Sequence, residues 1–130
     1  MRIPVIANGD IASPEDARRV LAATGADGIM VGRAAQGKPW LFREIAYFLA
    51  TGERLPAPGA AEIRAVLLEH LEELYALYGE EQGTRVARKH IRWTVSPLPG
   101  GEAWLPDVFR LEAAVAQHGA VSDYFERLAA

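Results

Sequence analysis

Ile3-Pro4-Val5-Ile6-Ala7-Asn8-Gly9-Asp10 is a short apolar run closed by polar residues, and Gly25-Ala26-Asp27-Gly28-Ile29-Met30-Val31-Gly32-Arg33 repeats that pattern further along. Apolar residues without alternation over so short a stretch predict parallel strands buried on both faces. Between the two runs, Ser13-Pro14-Glu15-Asp16 opens a helix. Ser13 suits the N-cap and Pro14 the first helical position, while Asp16 can reciprocate the cap less well than Glu would. Thr24-Gly25 stops the helix, and Gly28 to Val31 forms the second strand. The spacing makes one β–α–β unit, with Asn8-Gly9-Asp10 and Gly32-Arg33 at the carboxyl ends of neighbouring strands. The predicted fold is therefore α/β at the start of the chain, and the pair of runs looks like the last βαβ portion of a (β/α)8 TIM barrel. In such barrels the carboxyl rim carries the active site, and the last two strands commonly hold a phosphate.

Gly9 and Gly32 have no Cβ, so an anion can come close to their backbone N–H groups. Gly32-Arg33-Ala34-Ala35-Gln36-Gly37 reads as a strand running straight into a short helix. Free amides at a helix start favour a phosphate there. The planar guanidinium of Arg33 can grip phosphate oxygens in two places. Asn8 and Asp10 either bind a ligand or tie down the strand-to-helix loop. Each motif alone reads equally well as a plain turn or a packing glycine. Together, at the ends of two parallel strands, they favour a phosphate site.

The chain has 130 residues, 50% of them hydrophobic, which suits one ordinary domain with a core. A complete barrel takes about 250 residues, so the barrel portion is incomplete. A net charge of −3 offers no global argument for RNA binding, and the lack of cysteine says little about redox compartment. No apolar run approaches the ~18 residues of a membrane span and no charged leader precedes a cleavage site, so a soluble cytoplasmic protein is expected. His70, His90 and His118 show no metal-ligand spacing and have no thiolates to help them, so no metal is expected. Nothing resembles a catalytic triad, and the carboxylate pairs sit on helix surfaces.

Pro39-Trp40 begins another helix that runs to about Ala50, with Phe42, Ile45, Ala46 and Leu49 on one side. The proline- and glycine-punctuated stretch Thr51 to Gly59 is the domain boundary, separating a barrel portion at 1–52 from a helical domain at 60–130. Ala60 to Tyr78 carries Ile63, Val66, Leu67, Leu71, Leu74 and Leu77 in an amphipathic pattern ended by Gly79. A second helix covers Gln82 to about Val95, and Ser96 to Gly101 breaks it. Shorter helices over Leu105–Ala116 and Val121–Leu128 complete a small C-terminal bundle.

Arg85, Arg88, Lys89 and Arg92 fall at i, i+3, i+4 and i+7, on one helix face. Such a stripe can neutralise phosphates of a folded RNA without reading sequence. It can equally be a solvated face paired to Glu69, Glu72 and Glu73, each exposed pair contributing less than ~1 kcal/mol. His90 either contacts RNA or donates a buried hydrogen bond. His70 reads as structural and His118 as a helix-end residue, and Trp40, Trp93 and Trp104 read as packing anchors.

The order Ile-Pro-Val-Ile-Ala-Asn-Gly-Asp, then Thr24-Gly-Ala-Asp-Gly-Ile-Met-Val-Gly-Arg-Ala-Ala-Gln-Gly-Lys-Pro-Trp40, strongly resembles the flavin-dependent tRNA-dihydrouridine synthases, in particular their bacterial B-type branch. The resemblance continues through Leu41-Phe42-Arg43-Glu44-Ile45 and Ala87-Arg-Lys-His-Ile-Arg-Trp93, and loosens after about Ser96. Thr94 departs from the aromatic residue that the family usually places after this tryptophan. The resemblance implies an enzyme that binds FMN in a barrel and reduces tRNA uridines to dihydrouridine with electrons from NAD(P)H. It implies that Asn8, Gly9, Asp10, Gly32 and Arg33 match the FMN phosphate-binding segments. It also implies that the helical domain grips tRNA, which favours Arg85, Arg88, Lys89, His90 and Arg92 as RNA contacts.

The family's first six strands, with its catalytic cysteine and its flavin-contacting lysine and histidine, would precede Met1. No catalytic residue is then expected in this stretch, and it should be inactive alone. The complete enzyme is expected to be a monomer. The isolated chain is expected to self-associate through open strand edges. Two alternatives remain: a non-catalytic helical RNA-binding module, and a piece of another FMN-dependent barrel oxidoreductase. The helical extension argues against the second.

Overall fold

Ser13 sets the first helix of the computed structural model, which describes residues 3–8 and 11–129. Its Oγ accepts the Asp16 amide at 3.1 Å, and Asp16 Oδ2 accepts the Ala12 amide at 3.2 Å. The reciprocal cap therefore forms, with the shorter Asp reaching one residue beyond the N-cap. That Ala12 hydrogen bond, with Arg19 and Ser13 adding to it against a desolvation penalty, holds the Asp16 carboxyl below the usual carboxylate range. Helix α1 runs Pro14–Thr24 and ends at Gly25 in the left-handed conformation.

The chain divides into two compact units, 1–57 and 58–130. In the first, β1 (Ile6–Ala7) and β2 (Gly28–Ile29) pair in parallel, Ile6 opposite Gly28 and Ala7 opposite Ile29. The Val5 carbonyl accepts the Asp27 and Gly28 amides, and the Val5 amide donates to Asp27 Oδ2 at 2.8 Å. Helix α2 spans Leu41–Thr51 and packs on α1. Ile11, Ala17, Leu41 and Ile45 make the core, with Val20, Ile29, Val31 and Ala34 against it.

Two expectations are corrected here. The strands are shorter than the apolar runs predict, and they are not buried on both faces: Ile3 is 80% exposed, Ile6 65% and Met30 54%. Helix α1 packs against both strands, and among the described residues no further strand lies beside them. On α2 the buried stripe is Leu41, Ile45 and Phe48, while Phe42 and Leu49 face solvent. The helix is apolar on two sides, so periodicity alone could not say which side meets α1.

The second unit is helical. Helix α3 covers Ala60–Val95, but Gly79 has φ 80° and ψ 175° inside it. That extended, positive-φ geometry is essentially open only to glycine, so Gly79 reverses the chain. The arms 60–78 and 80–95 return side by side: the His70 and His90 rings sit 4.4 Å apart. A Cβ added at Gly83 would lie 3.0 Å from Tyr75 Cα, so glycine there lets the two backbones close. Leu71, Ile91, Val95, Val108, Val121 and Phe125 fill the core, each contributing about 1.5–3 kcal/mol by its burial.

Helix α4 is Gly101–Val108 and α5 is Ala114–Ala129. These bounds correct the expected helices over 105–116 and 121–128. Gly119 is carried inside α5 because Gln117 and Val121, on either side of it, are both fully buried. His118 is accordingly mid-helix, with Nε2 3.2 Å from Glu72.

Candidate functional site

A cavity of about 580 Å³ opens where the two strands end, and Asn8, Gly32 and Arg33 line it together with Ile11 and Met30. Parallel pairing and the α1 crossover bring the two loops to the same edge. Beyond β2 the chain enters a 3₁₀ turn, Arg33–Ala35, in which the Ala35 amide donates to the Gly32 carbonyl at 3.1 Å. The first amides of such a turn lack an intrahelical acceptor. A Cβ added at Gly32 would meet nothing within 4 Å, so the space beside its backbone is open to a ligand. The donor set is a carboxamide, backbone amides and a guanidinium, over a wall supplied by Ile11 and Met30. That chemistry suits an anion carried on a less polar body. Gly9 and Asp10 lie outside the described residues. Sequence reasoning misses Ile11 and Met30 as lining residues; their place beside the polar turn residues was the available signal.

The basic helix face is less uniform than its spacing suggests. Arg85, Lys89 and Arg92 are exposed along it, whereas Arg88 is half-buried and tied inward. Arg88 Nη2 donates to the Leu111 carbonyl at 3.3 Å, and its Nε is buried without a hydrogen-bond partner. Arg88 thus ties the second arm of α3 to the α4–α5 connection. Arg92 lies over the Phe109 ring at 5.2 Å, a cation–π contact to the same connection. Arg85 Nη2 sits 3.3 Å from Glu81, one turn back, rather than beside Glu69, Glu72 or Glu73. His90 packs edge-on against both His70 and Trp93. Burial, with the His70 and Lys89 charges adding to it, holds the His90 imidazole below its usual value. Among the described residues no group of three or more His, Cys, Asp or Glu is placed to hold a metal ion. No helix among them is long and apolar enough to cross a membrane.

By class, this is an α/β unit with an anion-suited cleft at its strand ends, followed by a helical unit. The sequence profile of the dihydrouridine synthase (Dus) family matches residues 1–128, and the chain belongs to that family. It is 52% identical over 123 residues to the tRNA-dihydrouridine synthase B of Pseudomonas aeruginosa, covering 95% of this chain and 37% of that protein. Identity is also 52% over 130 residues to the tRNA-dihydrouridine synthase B of Xanthomonas axonopodis pv. citri, covering 100% of this chain and 39% of the relative. The protein of the same name from Salmonella typhimurium is 46% identical over 127 residues, 98% of this chain and 40% of its own length. The chain thus spans about two fifths of the length of these relatives.

Proposed function

We propose that this chain is the C-terminal part of a B-type tRNA-dihydrouridine synthase, with 1–52 completing an FMN-binding (β/α)8 barrel and 60–130 recognising tRNA. The whole enzyme reduces uridine to 5,6-dihydrouridine in tRNA at the expense of NAD(P)H, in the cytoplasm and as a monomer. FMN, when bound, supplies the redox chemistry. This chain's own contribution is to bind: Gly32 and neighbouring amides, Asn8 and Arg33 hold the cofactor's phosphate, with Gly9 and Asp10 assigned to the same loop. Arg85, Lys89 and Arg92 face the RNA, whereas Arg88 and His90 serve it through packing. Reaction at the uracil ring needs the preceding barrel segment and its cysteine, so this stretch is inactive alone.

The observation that carries this reading is the convergence of Asn8, Gly32 and Arg33 on one cavity at the strand ends. Arg33→Ala in the complete synthase tests it. Loss of a charge-assisted hydrogen bond, about 1.5–3 kcal/mol, should weaken FMN retention about tenfold or more. Unchanged flavin occupancy overturns the phosphate assignment. A second reading, a helical RNA-binding module without catalysis, draws support from 58–130 being a compact unit by itself. Dihydrouridine formation by the reassembled full-length protein excludes it.

A further inference from the structure

The Gly79 turn leaves a Tyr ring where the core has no use for it. Tyr78, the last residue of the first arm of α3, is 45% exposed. It lines an open cleft of about 800 Å³ together with Gln82, Arg85 and Lys89. Gln82, Arg85 and Lys89 are spaced i, i+3 and i+7, one face of the second arm. Two acids also border the cleft, and both are engaged. Glu80 Oε1 accepts the Ala114 amide at 3.2 Å at the start of α5, and Glu81 lies 3.3 Å from Arg85 Nη2. Glu80 is thereby drawn toward α5, and Glu81 sets the orientation of the Arg85 guanidinium. The cleft thus offers a ligand an aromatic face, the Gln82 amide, the Lys89 ammonium and an Arg85 guanidinium held beside Glu81.

We propose that this cleft binds an unpaired nucleotide of RNA, its base stacked on Tyr78 and its phosphates held by Arg85 and Lys89. The inference rests on tRNA being the partner of the helical unit, and adds a subsite that the basic stripe alone does not contain. A duplex offers its phosphates to a flat basic face and has no use for an exposed aromatic ring beside it. A single-stranded nucleotide offers both a π-face and a phosphate, and stacking on an aromatic side chain accepts any base. The size also fits, since pockets for small organic ligands run to about 300–1,000 Å³. Gln82 can donate to or accept from a base edge and so is placed to bias the choice of base. The turn at Gly79 brings Tyr78 to this cleft beside the second arm.

Binding is read by fluorescence anisotropy of the chain with unfractionated tRNA and with a labelled single-stranded RNA octamer, across a salt series. Tyr78→Ala should weaken both complexes about tenfold while leaving the salt slope unchanged, and Tyr78→Phe should bind as the parent does. Arg85→Gln with Lys89→Gln should weaken binding and flatten the slope, because each phosphate of a single strand that is no longer neutralised takes about 0.7 off it. If Tyr78→Ala binds like the parent while the charge variants lose tRNA, the nucleotide cleft is wrong and the tRNA assignment stands. If the parent chain does not bind tRNA at all, both fall.

Discussion

Tyr75 Oη donates to Gln117 Oε1 at 2.5 Å, and Gln117 Nε2 donates in turn to the Thr84 carbonyl at 3.0 Å. Gln117 is fully buried, so one amide joins both arms of α3 to α5. Burial pushes the Tyr75 phenol up to about 12, which keeps it a neutral donor. Gln117→Leu keeps the volume but strands a hydroxyl and a carbonyl, each orphaned group costing about 1–3 kcal/mol. Urea unfolding should show that loss. Adding Tyr75→Phe should recover part of it, so that the double variant is more stable than the sum of the singles requires. Strict additivity would show that the two side chains do not cooperate.

Gly83→Ala gives a prediction whose sign depends on the packing of the two arms. In an isolated helix the change stabilises by about 1 kcal/mol. Here the new Cβ would sit 3.0 Å from Tyr75 Cα and 3.1 Å from the Leu74 carbonyl oxygen. Both neighbours are backbone atoms and cannot rotate away, and overpacking of this kind costs about 1–3 kcal/mol. A lower unfolding midpoint is expected, and a raised one would mean the arms do not approach so closely.

His90 makes the helical unit sensitive to acid. Burial comes first among the causes, then the His70 and Lys89 charges, and all hold its folded pKa below the ordinary 6.5. The unfolded chain therefore binds more protons in the window below 6.5, and stability rises with pH there. The contribution is complete above 6.5 and is lost as pH falls through the folded value. Thermal unfolding between about pH 7.5 and 5 should show a falling midpoint, and His90→Gln should flatten it. An equal slope in that variant would assign the acid sensitivity elsewhere.

Arg88 and Lys89 are neighbours with opposite roles. Arg88→Ala removes the hydrogen bond to the Leu111 carbonyl and the packing of its stem, and should destabilise the chain by about 1–2 kcal/mol. Lys89→Ala should change stability by less than about 0.5 kcal/mol yet lower tRNA affinity. Urea midpoints and anisotropy on the same two variants separate the roles. A stable Arg88→Ala with lost tRNA binding would return Arg88 to the RNA face.

Much of this is legible in the sequence because it is local. Ser13, Pro14 and Asp16 form a cap within a single turn, and Gly25 and Gly79 end helices through their own backbone angles. Asn8 lies far from Gly32 and Arg33 in sequence, but a β–α–β crossover has one hand and one rim, so their meeting can be anticipated. Arg88 escapes such reading because its partner, the Leu111 carbonyl, belongs to a connection whose path depends on how α4 and α5 dock. The same docking carries α5 through Gly119, where glycine chemistry alone argues for a stop. Phe42 and Leu49 face solvent although the sequence placed them on the buried side of α2, because two apolar faces compete there and only the position of α1 decides between them.

Ile3, Ile6 and Met30 stand in water on or next to the two-stranded ribbon, which no selection for solubility would favour. Their tolerance of charge is thus a readout of context. A library that replaces each with Lys or Glu should be enriched for improved yield when this stretch is expressed alone. The same library should be depleted when the stretch is expressed joined to the rest of a synthase. Opposite fates for identical alleles would mark that ribbon as a seam.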